Sequence, residues 1–179
     1  TTAATHSDGA TVLNSSDYIA WGEAASGDLV VDPGLWSIDN FGDKVIALIH
    51  NAQVFEWDSN ATNAVTNRAT IITGAPTASR DMLVSTPDRH LVFFGTETTI
   101  GTPSTQDEMF IRFSNQEDIN TYQPTAVNTA GTQRLADGSK ITGAVRGRDA
   151  IYVWTDTSLF TMRFIGQPFT FGFQQVGTN

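Results

Sequence analysis

Residues 158–177 read SLFTMRFIGQPFTFGFQQVG. Phe160 and Met162, then Phe169, Phe171 and Phe173, recur at every second position, the spacing that puts side chains on one face of a strand. The run predicts two strands, 158–164 and 169–176, as the inner and outer members of a sheet, with their rings sealing that sheet against a neighbour. It holds no carboxylate, imidazole or thiol. The most ordered pattern in the chain is therefore devoted to packing, and any chemistry has to come from elsewhere.

The same alternation predicts strands at 44–49 (KVIALI), 53–57 (QVFEW), 69–73 (ATIIT), 81–85, 90–94 (HLVFF), 109–113 (MFIRF), 141–145 and 150–154 (AIYVW). His50-Asn51, Pro87-Asp88, Gly147-Arg148-Asp149 and Asp156-Thr157 separate apolar runs with residues that tolerate tight-turn dihedrals, so antiparallel hairpins follow. Charged residues make up 16% of the chain, against about 25% in ordinary domains. Thr, Ser, Asn and Gly take the polar positions instead, which suits strands and turns better than helices. At 179 residues the chain is long enough for one well-buried domain.

Three stretches share one plan, a polar turn ending in a charge, an apolar strand, a short turn and a strand carrying aromatics. They are FGDKVIALIHNAQVFEW, TPDRHLVFFGTE continued by DEMFIRFSNQED, and RGRDAIYVWTDTSLFTMRF. Aligning Val45, Leu91 and Ile151 gives separations of 46 and 60 residues, the first close to the period of a propeller blade. The second is stretched by a polar insertion at about 114–140, expected to be a long loop at a blade edge. The fold class expected is all-β, with β-propeller-like blades of antiparallel hairpins over 35–179 that form an incomplete part of a larger propeller. Residues 1–34 are weakly patterned, with one short candidate strand at Tyr18–Trp21, and are expected to form an N-terminal arm.

Several function classes lose their usual supports. The formal charge of -9 argues against a surface that binds nucleic acid by neutralising phosphates. With no cysteine, disulfides, thiolate zinc sites and cysteine nucleophiles are excluded. No apolar run approaches the roughly 18 residues of a membrane-spanning helix, and TTAATHSDGA has neither the charged nor the apolar region of a signal peptide. His6, His50 and His90 show no metal-ligand spacing and are expected at the surface or at strand ends. Nucleophile elbows and phosphate loops are absent.

Asp107-Glu108 and Glu117-Asp118 could serve glycoside hydrolysis only with partners from other loops, because neighbours on a strand point to opposite faces. Ser37-Ile38-Asp39-Asn40-Phe41-Gly42 approaches the S-x-D-x-G turn of sialidase-type blades, but Phe41 stands where Gly is required. Asp137-Gly138-Ser139 and Asp32-Pro33-Gly34 start like calcium loops without continuing into a ligand series, and read as tight turns. Trp36, Phe55, Trp57, Phe93, Phe94, Phe113, Trp154 and Phe160 alternate with other apolar residues, which favours packing between sheets over a stacking platform. No catalytic, cofactor-binding or metal-binding residue is assigned.

The segments WSIDNFGDKVIALIHNAQVFEWD, TGAPTASRDMLVSTPDRHLVFFG, QDEMFIRFSNQED and NTAGTQRLADGSKITGAVRGRDAIYVWTDTSLFTMRFIGQPFTFGFQQVGTN resemble the structural propeller proteins of tailed-bacteriophage tails. The resemblance covers about 35–179, and RFSNQED, TDTSLFTMRFIG and PFTFGF are its most specific parts. It implies a nozzle, hub or stabilising protein of the virion, not an enzyme and without cofactors. Its partners would be other tail proteins in a homo-oligomeric ring, with no specific grip on nucleic acid although DNA can pass through the assembly. Such proteins run on past Gly177-Thr178-Asn179 into further blades, so the chain is expected to be a portion of a longer one. The alternative class is a carbohydrate-active or carbohydrate-binding β-propeller, which would need a concave pocket with carboxylates from different blades.

Overall fold

A computed structural model describes residues 35–178 apart from Asn63, Val65, Thr66 and Pro87. The expected arm at 1–34, with His6, the 18–21 strand and the Asp32-Pro33-Gly34 turn, lies outside the described residues. Twelve strands are present among those described, and the one helical turn there is a 3-10 turn at Pro103–Thr105. Each group of four consecutive strands makes one antiparallel sheet in sequence order. The first sheet holds β1 (Trp36–Phe41), β2 (Lys44–Ile49), β3 (Val54–Asp58) and β4 (Thr70–Ile71). The second holds β5 (Asp81–Ser85), β6 (His90–Phe94), β7 (Phe110–Phe113) and β8 (Gly131–Arg134). The third holds β9 (Ile141–Arg146), β10 (Ile151–Thr155), β11 (Ser158–Gly166) and β12 (Thr170–Thr178). The chain is thus all-β and built of propeller-like blades, with Val45, Leu91 and Ile151 each near the start of a blade's second strand.

Period-2 alternation sorts the core into two layers. On β6, Leu91 and Phe93 join Phe41, Ile46, Leu48 and Val54 of the first blade. The intervening Val92 and Phe94 join Ile151, Val153, Phe160 and Met162 of the third. All five residues of β6 are consequently buried, as expected for a strand covered on both faces. Among the described residues, the outer blades are covered by another sheet on one face only. The T-shaped contacts of Phe171 with Phe113 (4.9 Å) and with Phe164 (5.8 Å) extend the second layer outward.

The first strands of the blades lie side by side, β1 packing on β5 and β5 on β9. Ser37 Oγ donates to Asp81 Oδ1 (2.6 Å), and the Val84 N–H donates to Asp39 Oδ2 (2.8 Å). Arg146 Nη1 then donates both to Val84 O (2.7 Å) and to Asp39 Oδ2 (2.8 Å). One guanidinium on the third blade therefore reaches the first blade across the second. The three sheets converge at their first strands, the arrangement of blades around an axis.

Four expectations need correction. Segment 158–177 forms the third and fourth strands of its blade, so it is the outer pair; the inner strand is β9, whose short apolar run gives no sign of its place at the axis. Trp154 does not fill the space between blades: it points away from Phe160 by strand alternation and is 40% exposed. Residues 36–41, outside the expected strands, form β1, and Ser37 and Asp39 spend their polar atoms on the neighbouring blade. The insertion at 114–140 is not a projecting loop throughout. It supplies β8, and it buries Ile119 and Tyr122, with Tyr122 set 5.5 Å from the Phe93 ring in the first layer.

Candidate functional site

The flagged carboxylates each have a partner. Asp107 Oδ2 pairs with Arg134 Nε (2.7 Å) while its Oδ1 accepts the Met109 N–H (2.9 Å). Burial raises the Asp107 pKa, but the Met109 N–H and the Arg134 hydrogen bond and charge outweigh it, leaving the carboxyl below the usual Asp range. Glu108, in the turn before β7, pairs instead with Arg80 (2.7 Å). Glu117 pairs with Arg89 (3.1 Å), whose guanidinium lies over the Phe41 ring at 5.5 Å. Asp118 Oδ1 accepts the Asn120 N–H (2.8 Å). Glu117, Asp118, Asp43 and Asp58 line one cleft between the first and second blades, together with Arg89 and Asn60. Asn60 joins the last two by donating from Nδ2 to Asp43 and from its backbone N–H to Asp58 (both 2.8 Å).

His50 is half-buried against Arg80 O (2.8 Å). His90 does begin a strand, but it is fully buried and not at the surface. Its Nδ1 lies 2.9 Å from Asp88 Oδ2, and Asp88 Oδ1 accepts from Ser85 Oγ (2.7 Å). On the other side, His90 Nε2 lies 3.0 Å from Thr129 Oγ1, which accepts the Gln116 N–H (2.8 Å) and bonds Asn115 Oδ1 (3.0 Å). The order carboxylate, imidazole, hydroxyl is that of a nucleophilic relay. Here the one hydroxyl proton is claimed within the network, and the ring is walled by Phe113, Phe164 and Phe171 at 5.2–6.3 Å. The network ties the 115–129 segment to the β5–β6 turn of the second blade.

Sequence reasoning passed over a second buried polar group. Glu97 is fully buried and accepts from the Thr77 N–H (2.8 Å), the Thr77 hydroxyl (3.0 Å) and the Gly101 N–H (2.6 Å). Arg112, also buried, donates to Thr98 O (2.8 Å) and Tyr122 O (3.3 Å). Burial lowers the Arg112 pKa, and the Glu97 charge partly offsets this. The signal was the lone arginine inside MFIRF. Asp137-Gly138-Ser139 is a bend, tied to the third blade by the Ser139 N–H donating to Asp156 Oδ1 (2.8 Å). Among the described residues no three His, Asp or Glu side chains converge as metal ligands would, and no helix is long and apolar enough to cross a membrane.

Among the described residues, the outward faces of the first and third sheets carry exposed large apolar side chains. Cross-strand register places Trp36 beside Ile49, Ile38 beside Ala47, Val45 beside Trp57 and Ala47 beside Phe55 on one face of the first blade. Trp36 is 54% and Ile38 64% exposed there. On the third blade, Tyr152 lies beside Val145 and Trp154 beside Leu159, with the two aromatic rings 6.3 Å apart. Apolar residues clustered on a sheet face mark a protein contact surface. Comparison of the chain with protein-family models, with characterised proteins and with solved structures finds no match.

Proposed function

We propose that this chain is a non-enzymatic structural component of a bacteriophage tail, a nozzle, hub or stabilising protein of the virion that works through protein–protein assembly. In this reading residues 35–179 are an open arc of a larger propeller. The observation that carries it is the pair of apolar sheet faces at the two ends of the row of blades, which a propeller buries by closing radially. Mass-spectrometric identification in purified virions, with antibody labelling at the tail, tests the reading; absence of the protein from tails overturns it.

The charge distribution supports an assembly that lets DNA pass without holding it. Of eight arginines, Arg80, Arg89, Arg134 and Arg146 are already paired with carboxylates and Arg112 is buried. Few cations remain for phosphates, so duplex DNA should bind weakly. Tight, salt-sensitive binding would count against this part of the reading.

One observation favours the carbohydrate reading as a second possibility: the cleft holding Asp43, Asp58, Glu117 and Asp118 draws carboxylates from two blades. A glycan that binds or turns over, with loss on Asp58→Asn, would establish it. No binding across a broad glycan panel would remove it.

A further inference from the structure

The repeat gives the two outward faces a specific meaning. With Val45, Leu91 and Ile151 aligned, Ile46 and Leu48 of the first blade match Val92 and Phe94 of the second, and Tyr152 and Trp154 of the third. The first two pairs are fully buried against the following blade. Tyr152 and Trp154 hold the same positions, but they are 36% and 40% exposed. The other face repeats as well. Leu91 and Phe93, like Ile151 and Val153, are buried against the preceding blade. Val45 and Ala47 occupy those positions on the outward face of the first blade and are only half-buried. Among the described residues, both halves of one recurring interface are therefore present, and each leaves apolar side chains exposed.

Building on the open-arc reading above, we propose that a second copy of this chain fills both halves. The outward face of the third blade in one copy packs on the outward face of the first blade in the other, and the reciprocal contact forms at the same time. The pairing repeats the positions of an observed contact. In the observed contact between the second and third blades, bulky Phe94 meets the face that carries β-branched Ile151 and Val153. In the proposed contact, bulky Tyr152 and Trp154 meet the face that carries Val45 and Ala47. Propellers close at about 4–8 blades; with three blades among the described residues of each copy, two copies supply six. The Arg146–Asp39 contact shows that the row already curves tightly about its inner strands.

The test is sedimentation and small-angle scattering of the full 179-residue chain, with Ala47→Glu and Trp154→Glu as separate variants whose folding is checked by circular dichroism. The expected species is a closed dimer of about twice 19.3 kDa. Each variant alone should weaken dimerisation at least about thirty-fold, since each buries a charge in both contacts. Mixing the two variants should recover a weaker dimer, because one of its two contacts is free of substitutions. A wild-type monomer at about 100 µM, sensitivity to only one variant, or open-ended oligomers would each overturn the proposal. A monomer that is nonetheless present in virion tails would sink the second-copy proposal alone. A closed dimer absent from virions would sink the tail reading alone.

Discussion

Replacing Phe94 with Ala probes the division of the core into two layers. Phe94 is fully buried on β6 and faces the third blade across the second layer. Removing the ring forfeits about 1.5–3 kcal/mol of transfer free energy. The sheets on either side are fixed by their own ladders and cannot close over the gap, so a residual void of roughly 60 Å³, at about 24 cal/mol per Å³, adds about 1.5 kcal/mol. The expected cost is about 3–5 kcal/mol. With a urea m-value near 2 kcal/mol per M, the unfolding midpoint should fall by about 2 M, followed through tryptophan fluorescence. Phe94→Leu should recover roughly half, since it refills part of the volume. Val127→Ala is the control: Val127 is 90% exposed, and its truncation should stay within about 0.5 kcal/mol. A Phe94→Ala cost below about 1 kcal/mol, or one no larger than the control, would refute the placement of Phe94 between two blades.

Three other outcomes follow from single contacts. At Gly131 an added Cβ would collide with the Phe113 ring, and Phe113 is itself held against Phe171; Gly131→Ala should cost about 1–3 kcal/mol by overpacking, measured in the same urea assay. The Tyr122 hydroxyl donates to Ile119 O at 2.6 Å in a buried site, so Tyr122→Phe should cost about 1 kcal/mol. Burial, then the Asp118 and Glu56 charges, raises the Tyr122 pKa well above the usual range; stability from the neutral phenol is complete below about pH 10 and is lost as pH rises further, a loss Tyr122→Phe should remove. The Asp107 carboxyl is shifted the opposite way, so its contribution is present above about pH 4 and lost as pH falls below the normal Asp pKa. Arg134→Ala should flatten that acid dependence in pH-dependent thermal melts, and an unchanged slope would show that the ion pair does not act.

What the sequence determined by itself was the local order: strands, hairpins and their repeat. Alternation of the kind seen in KVIALI, HLVFF and AIYVW depends only on which side of a pleat is buried, and it marked the second strand of every blade. β1 and β8 were illegible for opposite reasons. β1 carries Ser37 and Asp39 on its inward face, where they bond to the neighbouring blade, and this inverts the usual pattern; β8 (GTQR) is an edge strand with almost no burial to reveal it. The buried networks around His90 and Glu97 were also out of reach, since their members come from segments 20 or more residues apart. Position in the row of blades belongs to the tertiary structure. Phe94 and Trp154 occupy the same place in the repeat, and nothing in their local sequence distinguishes a sealed interface from an open one. Only the presence of a following sheet makes one ring core and leaves the other at the surface.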